Sequence, residues 1–212
     1  MKVIALSGYK GSGKDTVATM LSEYNYQRFS FADALKNQVA KQYDIDRTWL
    51  DDVNYKEKPL LRFPVNPTDK FAENIVNFML GEFRDVNGFS ISDSECQPDL
   101  FWTPRALDIL EGNAKRAANK DYWVNQIIDK INTSGCEYVV ITDCRYKSEI
   151  TSLREAFGDN LTTVEVRRYA DVASSDPSER DLEGVERDII INNTKDLDNL
   201  LLEVTNKLHL GK

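Results

Sequence analysis

The sequence has little histidine, little cysteine and no long hydrophobic run, and each shortage excludes a class of protein. The single histidine, His209, lies close to the end of the 212-residue chain, so we expect any chemistry to work without imidazole. Three cysteines with no C-x-x-C pair indicate reduced thiols rather than a disulfide framework or a zinc site. No apolar stretch is long enough to span a bilayer, and the opening run Val3–Leu6 is too short for a signal peptide. We therefore expect a cytoplasmic protein that does not enter a membrane.

Positive charge is also in deficit, because 27 Lys and Arg face 35 Asp and Glu and leave a formal net charge of −8. A field of this sign repels polyanions, so we expect no stable binding to DNA and favour small anions as ligands. The 41% hydrophobic and 29% charged residues are typical of a globular protein. A chain of 212 residues can bury one sizeable core, which predicts a single domain over 1–212.

The first part of the chain predicts an alternation of strands and helices. The apolar run Val3–Ser7 predicts a strand, and apolar residues at helical spacing after a glycine cluster predict the first helix. Gln27–Ala32 predicts a second strand, and the helix after it is expected to begin at Asp33 or Ala34 and to end near Tyr43. This order is typical of a β-α-β-α unit.

The later part continues the alternation. Thr103 and Pro104 are typical of an N-cap followed by proline at the first helical position. Tyr138–Asp143 is apolar and ends in an acid, which predicts a buried parallel strand, and Thr163–Val166 and Asp188–Ile191 predict two more strands. A final helix is expected to turn these residues inward: Leu197, Leu200, Leu201, Val204 and Leu208. The fold class predicted is α/β, a three-layer sandwich with a five-stranded, mostly parallel sheet.

A glycine-rich loop between the first strand and the first helix carries the strongest functional motif. Residues 8–16 read GYKGSGKDT and match G-x-x-x-x-G-K in the strand–loop–helix context that this motif requires. Glycines let successive amides curl around phosphate oxygens, and Lys14 adds a positive charge at a helix N-terminus. The alternative is a glycine-rich turn without a ligand. The predicted ATP-binding residues of this loop are Gly8, Lys10, Gly11, Ser12, Gly13, Lys14, Asp15 and Thr16.

The residue after the lysine departs from the usual motif. Ser or Thr is expected there, and this chain has Asp15 with Thr16 one place later. Both side chains offer hard oxygen atoms, which Mg²⁺ prefers, so either residue is a candidate magnesium ligand.

An acid and three arginines follow the later strands. Asp143 is a candidate ligand of Mg²⁺ or of the acceptor, with an acidic turn residue as the alternative. Arg145 can grip a phosphate with two parallel hydrogen bonds. Arg167 and Arg168 are candidates for binding ATP and for stabilising charge on a transferring phosphoryl group, although paired arginines also occur on solvated faces. Lys14, Asp143, Arg145 and Arg168 are the predicted catalytic residues.

Several residues are candidates for the acceptor site. Lys36 lies just past the predicted end of the second strand, and Arg105 combines a cation with a helix N-terminus. Trp123, beside Tyr122, either stacks on a base or belongs to the apolar face of its helix. A phosphate monoester is largely a dianion at neutral pH and needs no general base, so the shortage of histidine favours a phosphorylated acceptor.

Two segments differ from the rest in composition. Residues 44–100 contain four of the six prolines and a helical pattern over Phe71–Met79, so we read them as an acceptor-binding insertion into a core of 1–43 and 101–212. Residues from about 168 to 187 are almost wholly polar, which predicts a lid over the site.

These motifs resemble the deoxynucleoside monophosphate kinases of tailed bacteriophages, a family related to animal-type phosphomevalonate kinase. The resemblance implies phosphorylation of a deoxynucleoside monophosphate (dNMP) with ATP and Mg²⁺, a homodimer, and the host cytoplasm as location if a phage encodes the chain. It places Asp143 and Arg145 at the active site and adds Phe31, Asp33 and Glu149 as substrate-binding candidates. The chain departs from the family in 44–100, where a base would be read. The matching segments are Gly8–Thr16, Phe31–Asp33 with Lys36, Arg105, Asp121–Val124, Asp143–Arg145 with Glu149, and Ser178–Glu179.

Two other functions stay open at this point. One is a P-loop kinase for another small phosphorylated or hydroxylated metabolite, or for a modified base in DNA. The other is a nucleotide-binding module without turnover. The net negative charge counts against DNA as a substrate, and the presence of Lys14, Asp143 and the arginines counts against an inactive module.

Overall fold

The computed structural model describes residues 1–60, 102–168 and 181–211 of the chain. The helix expected over Phe71–Met79 and most of the expected lid lie outside these residues. The described elements are β1 (Lys2–Ser7), α1 (Lys14–Ser22), β2 (Gln27–Phe29), α2 (Phe31–Tyr43), a 3₁₀ helix (Arg47–Leu50), α3 (Pro104–Ala118), α4 (Tyr122–Ser134), β3 (Tyr138–Ile141), α5 (Lys147–Phe157), a 3₁₀ helix (Gly158–Asn160), β4 (Leu161–Arg167), β5 (Ile189–Asn192) and α6 (Leu197–Lys207).

The five described strands form one sheet in the order β2-β3-β1-β4-β5, and every neighbouring pair is parallel. The predicted fold class is therefore confirmed. Strand β1 lies at the centre, where Val3 pairs with Val139 on one side and with Leu161 on the other. Because the strands are parallel, the loops that leave their carboxyl ends emerge at one edge of the sheet, where open α/β sheets bind ligands.

The two faces of the sheet are covered by different helices. Alternation along β1 sends Ile4 and Leu6 to one face, where they cluster with apolar residues of α1 and α6. On the opposite face, Arg154 of α5 donates a hydrogen bond of 3.1 Å to Thr163 Oγ1 of β4, and α5 packs against α4. The first cluster contains Ile4, Leu6, Val17, Ala18, Met20, Leu21, Tyr26, Val140, Val164, Val166, Ile191, Leu200 and Val204.

Three boundaries or orientations differ from those expected. The second strand ends at Phe29 rather than at Ala32, because Ser30 caps a helix that begins at Phe31. Strand β3 ends at Ile141. In the last helix Leu200 and Val204 are buried as expected, but Leu197 is 61% exposed. Leu197 is the first residue of that helix, next to its N-cap Asp196, and it does not join the buried cluster.

The chain divides into two compact units, Met1–Ala34 with Lys120–Lys212, and Leu35–Asn119. The first unit contains the sheet. The second has its own apolar cluster, formed by Val39, Ile45, Leu50, Leu60 and Leu107. In the described part of either unit, no helix is long and apolar enough to cross a membrane.

Candidate phosphate-binding site

The loop between β1 and α1 has the backbone shape of an anion site. Gly8, Gly11 and Gly13 have φ angles of +139°, +80° and +104°, which are accessible to glycine and strained for other residues. At Gly8 a Cβ would also lie 2.3 Å from the carbonyl oxygen of Val166. Gly13 is the N-cap of α1 and provides no side-chain cap, so the first amides of that helix remain available to an anion.

Lys14 folds back across this loop. Its Nζ donates hydrogen bonds of 2.7 and 2.9 Å to the carbonyl oxygens of Gly8 and Tyr9. The ammonium group is thus held at the loop, where phosphate oxygens can replace carbonyl oxygens as its acceptors. Lys10 is exposed at the same loop, and Ser12 Oγ is buried with no hydrogen-bond partner among the described residues.

The donor set beside the loop fits a magnesium ion bound together with a nucleotide. Among the described residues no cluster of three or more His, Cys, Asp or Glu could hold a metal by itself. Mg²⁺ characteristically takes one or two protein oxygens and completes its shell with phosphates and water. Asp15 is exposed in the first turn of α1 and Thr16 follows it half-buried, so these two side chains fit that requirement.

Asp143 follows β3 and makes three hydrogen bonds to the start of α2. Its Oδ1 accepts from the backbone N–H of Phe31 at 2.9 Å, and its Oδ2 accepts from the N–H of Ala32 and from Ser30 Oγ, both at 2.8 Å. Ser30 Oγ in turn accepts from the N–H of Asp33 at 3.3 Å. The side chain expected to hold magnesium or the acceptor therefore caps a helix in this structure.

Arg145 and Glu149 lie at the start of α5 and perform different tasks. The Glu149 carboxylate is 6% exposed and accepts hydrogen bonds from the N–H groups of Arg145 and Tyr146, at 2.8 and 3.1 Å. In this structure Glu149 therefore stabilises the start of α5, and its role in binding substrate stays a prediction. The Arg145 side chain is exposed and helps to line a small cleft beside the loop of residues 8–13, which we call the phosphate loop.

Arg167 and Arg168 end β4 and differ in their partners. Arg167 forms two parallel hydrogen bonds of 2.8 Å with the carboxylate of Glu165. Arg168 Nη1 lies 3.4 Å from the carbonyl oxygen of Gly11, which brings this guanidinium to the phosphate loop.

Sequence reasoning missed Arg187, which lies at the base of the predicted lid. Its guanidinium is 9% exposed, and its Nε donates a hydrogen bond of 2.9 Å to Ser7 Oγ, directly before the phosphate loop. Burial lowers the pKa of Arg187. Tyr9 makes a second connection, since its hydroxyl lies 2.8 Å from Glu183 Oε1. The cleft between these groups measures about 50 Å³ and includes Arg145 and Glu165 in its lining.

Asn193, directly after β5, is a second missed residue. Its Nδ2 donates a hydrogen bond of 2.9 Å to the carbonyl oxygen of Ser12. The only sequence signal for either missed residue was a position next to a predicted strand, which does not identify a partner.

In the second unit Lys36 belongs to a charged cluster. Its Nζ donates a hydrogen bond of 2.7 Å to Asp51 Oδ1, and Arg47 contacts the other oxygen of the same carboxylate. Near these groups lies Asp108, whose Oδ1 is buried without a hydrogen-bond partner among the described residues. Burial raises the pKa of Asp108 to about 6, although Lys36 and Arg47 oppose that rise.

The remaining acceptor candidates are distributed over both units. Arg105 is exposed in the first turn of α3 and pairs with Glu57 at 3.2 Å. Asp33 pairs with Arg28 at 2.7 Å, and Phe31 is buried. Trp123 is 3% exposed, with its ring edge-on to Tyr122, which agrees with the core interpretation of this residue.

Comparison with known proteins finds a relative whose similarity extends along the whole chain. The chain is 24% identical over 246 aligned positions to the deoxynucleotide monophosphate kinase of Enterobacteria phage T4, covering 98% of this chain and 99% of that protein. A gluconokinase from Sinorhizobium meliloti 1021 matches with 15% identity and a TM-score of 0.43, covering 98% of this chain and 91% of that one. Shikimate kinase from Aquifex aeolicus vf5 matches with 14% identity and a TM-score of 0.43, covering 98% and 96%. No protein-family model matches the chain.

The similarity to a phage kinase along the whole chain confirms the resemblance predicted from the sequence. A phosphate loop at the carboxyl end of the central strand of a parallel sheet, together with that similarity, supports an ATP-dependent phosphotransferase with a P-loop kinase fold.

Proposed function

We propose that the chain is a deoxynucleoside monophosphate kinase, which transfers the γ-phosphoryl group of ATP to a dNMP and supplies nucleotide precursors. The observation that carries this proposal is the alignment of the whole chain with a deoxynucleotide monophosphate kinase, of which it covers 99%. The glycine geometry of residues 8–13 supports the ATP half of the reaction, because it fits a polyphosphate.

In the proposed reaction a phosphate oxygen of the dNMP attacks the γ-phosphorus of ATP. The bond between that phosphorus and the β–γ bridging oxygen breaks, and ADP and dNDP leave. The acceptor oxygen is already ionised at neutral pH, so the protein's task is to position the groups and to stabilise charge. Loop amides and Lys14 bind the β- and γ-phosphates, and Arg168 and Arg145 stabilise charge on the transferring group.

Magnesium is part of this proposal. Asp15 and Thr16 would hold the ion, and when bound it neutralises charge on the β- and γ-phosphates. We also propose that Lys36 and Arg105 bind the acceptor's phosphate. Arg105 adds a cation to the first turn of α3, and Lys36 adds one on α2, the helix that follows β2. A homodimer in the host cytoplasm completes the proposal by resemblance.

The test is to incubate the purified protein with ATP, Mg²⁺ and each of the four common dNMPs, and to measure ADP and the matching dNDP by chromatography. We expect at least one dNMP to be converted with one ADP formed per dNDP. Parallel reactions with the ribonucleotides, with gluconate and with shikimate compare other acceptors. If no dNMP raises ATP turnover above background while another acceptor does, the kinase assignment stands and the dNMP assignment is wrong.

A further inference from the structure

Asn193 contacts the phosphate loop from the end of the neighbouring strand β5. Its side-chain Nδ2 donates to the carbonyl oxygen of Ser12 at 2.9 Å, and its own backbone N–H donates to the carbonyl oxygen of Arg167 at 2.7 Å. Asn193 is therefore fixed to the sheet through its backbone and to the loop through its side chain. The side-chain amide of Asn193 thus contacts the loop at Ser12, one residue before Gly13.

The hydrogen bond to Ser12 determines the direction of the next amide. The described backbone contains no cis peptide bond, and in a trans peptide the C=O and the following N–H point in opposite directions. With the Ser12 oxygen held toward Asn193, the N–H of Gly13 must point away from Asn193, in the opposite direction within the peptide plane. We propose that Asn193 is a positioning residue, which aims the Gly13 amide at the phosphates of the nucleotide.

The same pair of residues explains why position 13 is glycine beyond its φ of +104°. A Cβ at Gly13 would lie 2.3 Å from Asn193 Nδ2, so a larger residue would displace the amide from Ser12. The close approach of Asn193 and the shape of the loop at Gly13 therefore depend on each other. This inference rests on the proposed binding of ATP and is independent of the identity of the acceptor.

The experiment compares two variants, Asn193→Leu and Asn193→Asp, with the same changes at Asn192. Leucine has the same number and branching of side-chain heavy atoms as asparagine but no donor, and aspartate places an acceptor against the Ser12 oxygen. Asn192 is exposed and adjacent, so its variants control for added apolar area and for added negative charge near phosphate. Affinities for ATP and for inorganic tripolyphosphate are measured by calorimetry, and the melting temperature is measured for every variant.

Both Asn193 variants are expected to bind tripolyphosphate roughly tenfold more weakly than their Asn192 counterparts, since each leaves the Ser12 carbonyl without its donor. The KM for ATP should rise by a similar factor. Wild-type affinity in Asn193→Leu would show that the side chain only fills space, and would overturn the inference while leaving the proposed function intact.

A measurement without any variant covers the case in which the substitutions prevent folding. The ¹⁵N–¹H resonance of Gly13 in the unaltered protein should move downfield when tripolyphosphate is added, as expected for an amide that donates to phosphate. Binding without a shift of this resonance overturns the inference alone. A failure of the unaltered protein to bind either ATP or tripolyphosphate overturns the proposed function and the inference together.

Discussion

Asp143 closes the first turn of a helix that begins more than a hundred residues earlier, since its Oδ1 accepts the backbone N–H of Phe31 at 2.9 Å. The first four N–H groups of a helix have no partner within it. Here Asp143 accepts the N–H groups of Phe31 and Ala32, and Ser30 Oγ accepts that of Asp33. The regular helical bonds then begin with the N–H of Ala34, which donates to the carbonyl oxygen of Ser30. The end of β3 and the start of α2 are therefore joined through a single carboxylate.

We expect Asp143→Ala to lower the free energy of unfolding of the nucleotide-free protein by about 2 to 3 kcal/mol, because it removes a helix cap and leaves two amides unpaired. Urea unfolding without magnesium or nucleotide measures this directly. Asp129→Ala, which removes an exposed carboxylate from α4, is the control. Unchanged stability of Asp143→Ala, with activity lost, would instead favour the role of a metal or acceptor ligand.

Lys14→Ala should reduce the rate of phosphoryl transfer by a factor on the order of 10² to 10³, the loss typical when one preorganised charge on a transition state is removed. The Lys14 ammonium is bound to two loop carbonyls, and its loss leaves the loop amides without their cation. Coupled detection of ADP measures the rate, and circular dichroism checks the fold. Lys41→Ala, at the far end of α2, should retain activity. Undiminished turnover in Lys14→Ala would remove the loop from the mechanism.

Tyr43 and Glu111 should show strong energetic coupling. The Tyr43 hydroxyl donates to Glu111 Oε1 at 2.8 Å, and Glu111 is 7% exposed. A double-mutant cycle with Tyr43→Phe and Glu111→Met, each of which removes the hydrogen bond, should give about 1.5 to 3 kcal/mol, the range for hydrogen bonds to charged groups. A second cycle, with Tyr55→Phe in place of Tyr43→Phe, provides the control, because Tyr55 is 44% exposed. Additive effects of the Tyr43 and Glu111 substitutions would contradict the coupling.

The same tyrosine predicts a change at high pH. Burial and the Glu111 carboxylate raise the pKa of Tyr43 to about 12, so the native state keeps a proton that the unfolded chain releases near pH 10. The stabilisation from this group is complete below pH 10 and is lost as the pH rises through about 12. Absorbance at 295 nm should show a late-titrating component that is smaller by one tyrosine in Tyr43→Phe.

Asp108 should make stability fall as the pH rises from about 4 through about 6. Its native pKa of about 6 lies above the usual value of about 3.9, so the folded state binds the proton more tightly than the unfolded chain does. Asp108→Asn cannot ionise, and between pH 4 and pH 7 the stability of the wild type relative to this variant should decrease by on the order of 2 kcal/mol. Denaturant unfolding at several pH values tests this. A difference that is constant with pH would contradict it.

The sequence predicted the elements whose signals are local. The phosphate loop was recognisable because its glycines, its lysine and its flanking strand and helix all lie within a single short segment. Thr103 was predicted as an N-cap from its own side chain and the proline after it, and its Oγ1 does accept the N–H of Ala106. Such features depend on neighbouring residues alone.

What could not be predicted depends on the order of the strands. Gln27–Ala32 reads as a continuous strand, and the helix start at Phe31 depends on the carboxylate of Asp143, which follows β3, as well as on the local cap from Ser30. Asn193 reaches Ser12 because β5 lies beside β4, which lies beside β1. Periodicity and propensity contain no information about such neighbours, so the residues that support the loop became visible only in the structure.

The central place of β1 has a consequence for the way the chain folds as it is synthesised. This strand is synthesised before the other described strands, yet its partners are β3 and β4, so Val3 can pair with Val139 only after the residues between them have been made. At 5 to 20 residues per second the delay is roughly 7 to 27 s. During that time an apolar strand has both edges unpaired, which makes the nascent chain a candidate for chaperone binding until its middle strands arrive.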